Sequence, residues 1–249
     1  MLYRYNQDGS RIGINLNGLY AGQPCFITGG SPAIHEEPIE KLSTASNVFI
    51  FGMNNTPLVV RPHICVSGDV PKCFDRSILH DSGIIKAVNI ARRDCKVGKK
   101  TWKELSNTLF YPSSEKLLQS DFFNQSGPFL WWNSTWWITL QLAYRLGFTT
   151  FYLLGAEFKI RKDHQYAWET GLTDKEVQMN QNLYSKEARK MAELKPIFLE
   201  HGITVVNCCR TSAITESYGY TPLEQALANV KRDLPESTGA ADLPHSKRK

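Results

Sequence analysis

Residues 133–158 read NSTWWITLQLAYRLGFTTFYLLGAEF. Ile138, Leu142 and Leu146 recur at helical spacing, and Gly147 is a natural helix end. The apolar run 149–154 that follows is too short for a helix, has the composition of a buried strand and ends at a second glycine. A helix leading into a buried strand is the repeating unit of a sheet covered by helices, so this stretch predicts an α/β protein.

Further apolar runs extend the pattern over the rest of the chain. They are apolar on both faces, as expected of parallel strands covered by helices, and lie at 24–28, 47–51, 63–67, 84–89 and 203–207. Helices are predicted at 34–42, at 135–146, at 174–200 with a break or kink near Pro196, and after Thr221 as N-cap with Pro222 at the first helical position. The sequence therefore predicts a doubly wound, mostly parallel, Rossmann-like sheet with helices on both faces.

The domain organisation follows from composition. Residues 1–21 are polar and predict an N-terminal arm or hairpin, and 22–233 form a single Rossmann-like domain. Within it, the polar stretch 96–130 is interpreted as a partly irregular lid or insertion, because loops of that length are often functional. Residues 234–249 are polar and predict a disordered tail.

Charge and cysteine content limit the function classes. The chain has 249 residues, 29 basic and 24 acidic, and a net charge of +5. This mild excess favours an anionic substrate without establishing nucleic-acid binding. The six cysteines form no CxxC pair, and Cys25, Cys65 and Cys208, which lie in apolar runs, are predicted to be reduced core thiols. No run of about 18 apolar residues and no signal-peptide core is found, so we predict a cytoplasmic protein without a membrane span.

Ligands of doubly wound sheets bind outside the carboxyl ends of the strands, so the residues there are the candidate donor-binding set. They are Gly29, Gly30, Ser31, Asn54, Asn55, Asp69, Asn133, Ser134, Thr135 and Gly155. The two glycines allow close approach of a phosphate, but an ordinary strand-to-helix turn explains them equally well. The same holds for Ser134 and Thr135, which suit either a helix-terminus anion site or simple N-capping.

Two further side chains have candidate catalytic chemistry. Glu157 follows the strand 149–154, and His164 lies in the polar segment beyond it. A loop histidine near a site is suited to general-base catalysis, although a lone surface histidine is the commoner case. No Asp-x-Asp metal motif is present, so no metal ligands are predicted.

Three blocks resemble a known superfamily. They are residues 22–32, which end in Gly29-Gly30-Ser31-Pro32, residues 133–158, and residues 199–208. In order and spacing they are similar to the superfamily that joins bacterial sialyltransferases of the lipooligosaccharide type to the 6-hydroxymethylpterin diphosphokinase MptE-like proteins. The chain departs from the pattern in the order Ser31-Pro32, where the family has Pro-Ser, and in Glu157, where it has Asp.

The resemblance implies a glycosyltransferase-like enzyme that transfers a sugar from a nucleotide-sugar donor to an acceptor hydroxyl. It places the catalytic roles on His164, as general base, and Glu157, with no cofactor or metal needed. The acceptor is a glycan or a modified base in DNA. The alternatives are a Mg²⁺-dependent pyrophosphokinase acting on a pterin-like alcohol, with Asp69 or Glu157 as metal ligand, and a non-catalytic nucleotide-binding module. Whether the protein forms a homo-oligomer stays open.

Overall fold

The computed structural model describes residues 1–6, 8–46, 48–168 and 171–233. The predicted tail, 234–249, lies outside these residues. The strands are β1 Leu2–Tyr5, β2 Arg11–Ile14, β3 Pro24–Thr28, β4 Ile50–Met53, β5 Ile64–Ser67, β6 Ile85–Asn89, β7 Lys96–Val97, β8 Lys100–Thr101, β9 Thr108–Tyr111, β10 Ser113–Ser114, β11 Phe129–Leu130, β12 Thr150–Leu154 and β13 Thr204–Asn207. The helices are α1 Ile39–Thr44, α2 Arg76–His80, α3 Thr135–Arg145, α4 Asp174–Glu200, α5 Thr215–Tyr218 and α6 Leu223–Asp233.

The central sheet has nine strands in the order β13-β12-β3-β4-β5-β6-β9-β1-β2. From β13 to β9 every pairing is parallel. The chain runs outward from β3 through β4, β5 and β6, and later returns to the other side of β3 as β12. The strand order therefore reverses between β3 and β12, which makes this the topological switch point of the sheet. The predicted doubly wound α/β fold is confirmed.

Both faces of the sheet are covered, because successive side chains of each strand point to opposite sides. Cys25 and Ile27 of β3 pack into a core with α3 and α4, whereas Phe26 packs on the other side with residues of α1 and α6. All three side chains are at most 1% exposed. This explains why the strands read as apolar runs without alternation.

Residues 1–21 contain an antiparallel hairpin, β1 and β2, whose register pairs Leu2 with Ile14. The hairpin joins the main sheet, because β1 pairs antiparallel with β9. The loop after it closes the far end of α3: the amides of Gly18, Tyr20 and Gly22 donate to the carbonyls of residues 145, 146 and 147 over 2.7 to 3.0 Å. The amino-terminal segment is thus built into the sheet and fixes the carboxyl end of α3.

The stretch 96–130 differs from its interpretation as a lid. It supplies β9 to the central sheet, and Phe122, Phe123 and Phe129 enter the same core as α3 and α4. The apolar residues of this stretch are few and are separated by polar turns, so the sequence does not indicate that they are buried. None of the residues 96–130 lines the cavity described below.

Two predictions of helix structure also change. α4 continues through Pro196 without a break, since the assigned helix spans Asp174–Glu200. At α6, the amide of Leu223 donates to the Glu37 carboxylate over 2.9 Å, so a side chain distant in sequence, rather than the Thr221 hydroxyl, accepts from it. The Tyr220 hydroxyl donates to the other Glu37 oxygen over 2.6 Å. A long-range cap of this kind has no local sequence signal.

Candidate functional site

A cavity of about 400 Å³ opens at the carboxyl edge of the sheet, at the switch point between β3 and β12. Loops after β3, β4, β5 and β12 and the amino end of α3 form its walls, and α4 closes one side. The predicted site residues that line it are Gly29, Gly30, Ser31, Asn54, Asn55, Asp69, Ser134, Thr135, Gly155 and Glu157. The structure therefore brings residues from five separate segments of the sequence to one place.

The glycine turn after β3 joins two strands closely. The Gly29 amide donates to the carbonyl of Leu154 over 2.7 Å, and the Ser31 amide to that of Gly155 over 3.1 Å. A Cβ at Gly29 would lie 2.5 Å from the Gly155 carbonyl oxygen, so this approach requires glycine. The amides of Gly29 and Ser31 therefore already donate to carbonyls at the end of β12, and the phosphate cradle at this turn stays a prediction.

The order Ser31-Pro32 has a local explanation. Ser31 is the N-cap of the short 3-10 turn Pro32–Glu36, and its hydroxyl oxygen accepts from the amide of Ala33 over 3.2 Å. Proline then stands at the first position of that turn, where a missing N–H costs nothing. The same hydroxyl donates to the carboxylate of Glu157.

Glu157 is fully buried and saturated with hydrogen bonds. Its carboxylate accepts from Arg161 through Nε and Nη2 at 2.9 to 3.0 Å and from the Thr211 hydroxyl at 2.8 Å, in addition to Ser31. Burial alone raises the pKa of this carboxyl, but the hydrogen bonds from Arg161, Ser31 and Thr211 outweigh it and leave the pKa below its ordinary value. Glu157 is therefore held as a carboxylate that ties three segments together, and its oxygens are not free for a ribose or for proton transfer.

The amino end of α3 faces the cavity. Ser134 has extended backbone angles, and its Oγ accepts from the amide of Trp136 over 3.2 Å, so it is the N-cap. Ser134, Thr135 and Trp136 all line the cavity. Asn133, in contrast, is exposed at a φ of 58° and does not line the cavity, so the geometry gives no support to its predicted contact with the donor.

Glu187 of α4 was not predicted and lies beside this helix end. It is 4% exposed, lines the cavity, and its Oε1 has no hydrogen-bond partner among the described residues. Burial raises the pKa of Glu187 to about 7, although a hydrogen bond with Ser134 lowers it in part. A carboxyl group in this state changes its charge near neutral pH.

The asparagines after β4 have different surroundings. Asn54 lines the cavity at a φ of 52°, and its Oδ1 is a buried acceptor without a hydrogen-bond partner among the described residues. Asn55 donates through Nδ2 to the Cys73 carbonyl over 3.1 Å and accepts at Oδ1 from the Asp75 amide over 3.0 Å. Its amide therefore holds the turn at 71–75 against the rim. Asp69 is exposed at this rim.

The cover of the cavity comes from the segment 158–168. The Ala167 amide donates to the Gly30 carbonyl over 2.8 Å, and a Cβ at Gly30 would lie 2.6 Å from the Trp168 ring. Tyr166 stacks on Trp168 with ring centroids 5.3 Å apart, and its hydroxyl lies 3.2 Å from that of Tyr184 on α4. Tyr166 and Trp168, rather than residues 96–130, therefore cover the cavity.

His164 lies in the same segment but is exposed and does not line the cavity. The structure therefore does not place it where a general base would act. The signal that would have selected its neighbours is the spacing of Tyr166 and Trp168, two aromatic residues in a polar loop directly after a strand end. For Glu187, the signal is a carboxylate at an apolar position of an amphipathic helix.

No group of three or more His, Cys, Asp or Glu side chains that could hold a metal ion is found in residues 1–6, 8–46, 48–168 and 171–233. Over the same part of the chain, no helix has the length and apolar character needed to cross a bilayer.

Comparisons with known proteins add little to this geometry. No family model matches the chain, and no curated protein matches it. Among solved structures, the chain is similar to the sialyltransferase CST-II in complex with a trisaccharide acceptor and CMP, at 14% identity and a TM-score of 0.48. The match covers 82% of this chain and 88% of that one. At this level the similarity identifies neither a ligand nor an activity for this chain, and membership of the superfamily stays a prediction.

Proposed function

We propose that the cavity binds a nucleotide-activated donor and that the protein transfers the donor's sugar to an acceptor hydroxyl. The observation that carries the proposal is the convergence of the β3 turn, Asn54, the amino end of α3 and the β12 end on one cavity at the switch point. Switch points of doubly wound sheets bind nucleotides because several strand and helix ends face the same crevice there. The three sequence blocks that resemble the sialyltransferase superfamily support the same direction.

Each part of the cavity suits one part of such a donor. The amino end of α3, with Ser134 and Thr135, offers amides and hydroxyls to the phosphate. Asn54 supplies a buried, unpartnered acceptor for a hydroxyl or an exocyclic amine. Tyr166 and Trp168 supply an aromatic surface on which a base or sugar ring stacks.

The transfer forms two bonds and breaks two. The acceptor oxygen bonds to the anomeric carbon while the bond from that carbon to the donor phosphate breaks, and the nucleotide leaves with the electron pair. The O–H bond of the acceptor also breaks, and its proton passes to a phosphate oxygen of the departing nucleotide rather than to His164. Glu157 acts as a positioning residue, since its carboxylate holds Ser31, Arg161 and Thr211 in place.

Thermal unfolding with a panel of nucleosides, nucleotides and nucleotide sugars tests donor binding. A cognate nucleotide at a concentration about 100 times its Kd stabilises the fold by about 2.7 kcal/mol and raises Tm. Asn54→Asp should abolish this rise, because a carboxylate repels the anionic donor. Asn133→Asp is the matched control: it makes the same change at an asparagine that also has positive φ but lies outside the cavity. A protein that no nucleotide or nucleotide sugar stabilises would not have the proposed function.

The variant His164→Ala tests whether His164 acts as the general base. Turnover of the donor should stay within about twofold of wild type, since the side chain is exposed outside the cavity. A loss of 10²-fold or more, the contribution typical of a general base, would return His164 to the mechanism.

Two other functions give different results in the same assays. A pyrophosphokinase loses turnover when a chelator removes Mg²⁺, whereas the proposed transfer does not. That alternative uses Asp69 or Glu157 as metal ligand, and Glu157 is already occupied by Arg161. A non-catalytic module binds nucleotide and turns over no donor. If the acceptor is DNA rather than a glycan, its binding weakens steeply with salt.

A further inference from the structure

The carboxyl group of Glu187 would repel an anion bound in the cavity unless it carries a proton. Glu187 lines the cavity together with the N-cap Ser134, and the Ser134 hydroxyl is the polar group that acts on the pKa of the Glu187 carboxyl, so this carboxyl lies near the amino end of α3. An anion bound there is attracted by the helix end but repelled by an ionised Glu187. The protonated carboxyl has no charge and gains an O–H donor.

Among the residues that the structure describes, no cation forms an ion pair with Glu187. Its residue is 4% exposed, and Oε1 has no partner among the described residues. The first turn of α3 next to it contains no acidic or basic side chain. The titratable side chains that line the same cavity are Asp69 and Cys73 at the rim, Glu157 and Lys159 after β12, Tyr166 in the cover and Tyr184 on α4.

Three of these groups, Glu157, Lys159 and Tyr166, do not replace Glu187 as the proton donor, and Asp69, whose pKa burial also raises, is exposed at the rim. Glu157 is held as a carboxylate by Arg161, and Lys159 lies 3.7 Å from that same carboxylate. Burial raises the pKa of the Tyr166 hydroxyl above its ordinary value, so it stays neutral throughout the relevant pH range. Glu187 is thus a buried carboxyl that lines the cavity beside the α3 end and has an oxygen without a hydrogen-bond partner among the described residues.

We propose that the Glu187 carboxyl is a binding group for the anionic part of the ligand in its protonated form, so that the ligand binds together with one proton. The inference rests on the proposed function for the identity of the ligand, a phosphodiester of a nucleotide sugar. Its chemistry requires only a non-titrating anion at the end of α3. Binding is strong where Glu187 is protonated and weakens as the pH rises and the carboxyl ionises.

The test measures binding of two anions whose charge is constant from pH 6 to 8. The first is the nucleotide sugar with the highest affinity in the thermal panel, and the second is inorganic sulfate. The corresponding nucleoside, which has no charge, is the comparator. Calorimetry in two buffers of different ionisation enthalpy counts the protons taken up with each ligand.

For wild type we expect the affinity for both anions to be about tenfold weaker at pH 8 than at pH 6, with uptake of close to one proton at pH 8, and a nucleoside affinity that does not change with pH. Glu187→Gln keeps an N–H donor but cannot ionise. It should bind both anions at pH 8 about tenfold more tightly than wild type, with no proton uptake. This gain of affinity is a result that a merely structural role would not give.

Glu193→Gln is the matched control, because it makes the same change at an exposed position of α4 and should behave as wild type. Equal pH dependence in wild type and Glu187→Gln, or no proton uptake, would overturn the inference. If sulfate shows the linkage but no nucleotide sugar binds, the proposed function fails and the proton-coupled anion site stands. If neither anion binds at any pH in either protein, both fail.

Discussion

Gly29 illustrates how closely a single position is constrained. A methyl group there would lie 2.5 Å from the Gly155 carbonyl oxygen, which is backbone and cannot rotate away. Gly29→Ala should therefore lower the free energy of unfolding by about 2 kcal/mol or more, as overpacking of a close contact does. Urea denaturation measures this change. Gly171→Ala is the control, since a Cβ at Gly171 meets no atom within 4 Å; an equal loss in both variants would contradict the steric explanation.

The buried carboxyl of Glu187 makes stability depend on pH. In the folded protein its pKa is about 7, above the ordinary value of 4.5. Below pH 4.5 the group is protonated in both states, and between these two values the unfolded chain loses its proton first. Relative to Glu187→Gln, wild type should therefore lose up to about 3 kcal/mol of unfolding free energy as the pH rises from 4.5 to 7, and nothing more above that.

Urea denaturation of wild type, Glu187→Gln and Glu193→Gln at pH 5 and pH 8 checks this slope. Wild type and the Glu193 variant should lose stability in parallel, and the Glu187 variant should lose less. Parallel curves for all three would mean that Glu187 does not titrate in this range.

At the residue scale, the strand-end rule selected ten of the residues that line the cavity, because the ends of parallel strands must meet at one edge. It did not tell which polar groups are free. Hydrogen bonds to residues distant in sequence occupy the side chains of Ser31, Asn55 and Glu157, and Asn133 is exposed outside the cavity. These outcomes depend on side-chain partners that only the folded chain brings together.

Among the helices, α6 depends on a cap supplied from elsewhere. The Glu37 carboxylate accepts from the amide of Leu223 and from the Tyr220 hydroxyl. Glu37→Ala should cost about 1 to 2 kcal/mol, the usual range for a lost cap, and lower Tm accordingly. Thr221→Ala should change stability by less than about 0.5 kcal/mol; a larger effect than that of Glu37→Ala would restore Thr221 as the cap.

The sequence predicts best those strands that are continuous apolar runs and those helices that have a clear helical pattern. β3 and β12 are apolar on both faces, and α4 begins and ends where its pattern predicts. β9 was concealed because it is four residues long and surrounded by polar turns. In α4, Tyr184, Glu187 and Met191 lie on one side of the helix, so the sequence itself shows a carboxylate at an apolar position. Its place beside Ser134 in the cavity is known only from the folded chain.

Across the whole molecule, the protection of backbone amides from hydrogen exchange should decrease from the switch point to the hairpin. β3 and β12 lie between other strands and under helices on both faces, whereas β2 is the edge strand and mostly exposed. Amide hydrogen exchange should therefore be slowest in β3 and β12 and fastest in β2. Exchange in β12 at the rate of β2 would mean that the core opens before the edge.

The loop after the hairpin gives the amino-terminal residues influence over a site they do not touch. Through Gly18, Tyr20 and Gly22 it holds the carboxyl end of α3, and eleven residues of helix, about 16 Å, separate that end from the cavity. Deletion of residues 1–22 would release the carbonyls of residues 145, 146 and 147 at the end of α3 and allow the opposite end to shift. Shortened versions of the protein, or fusions that disturb its first strand, should consequently lose ligand affinity even when every cavity residue is present.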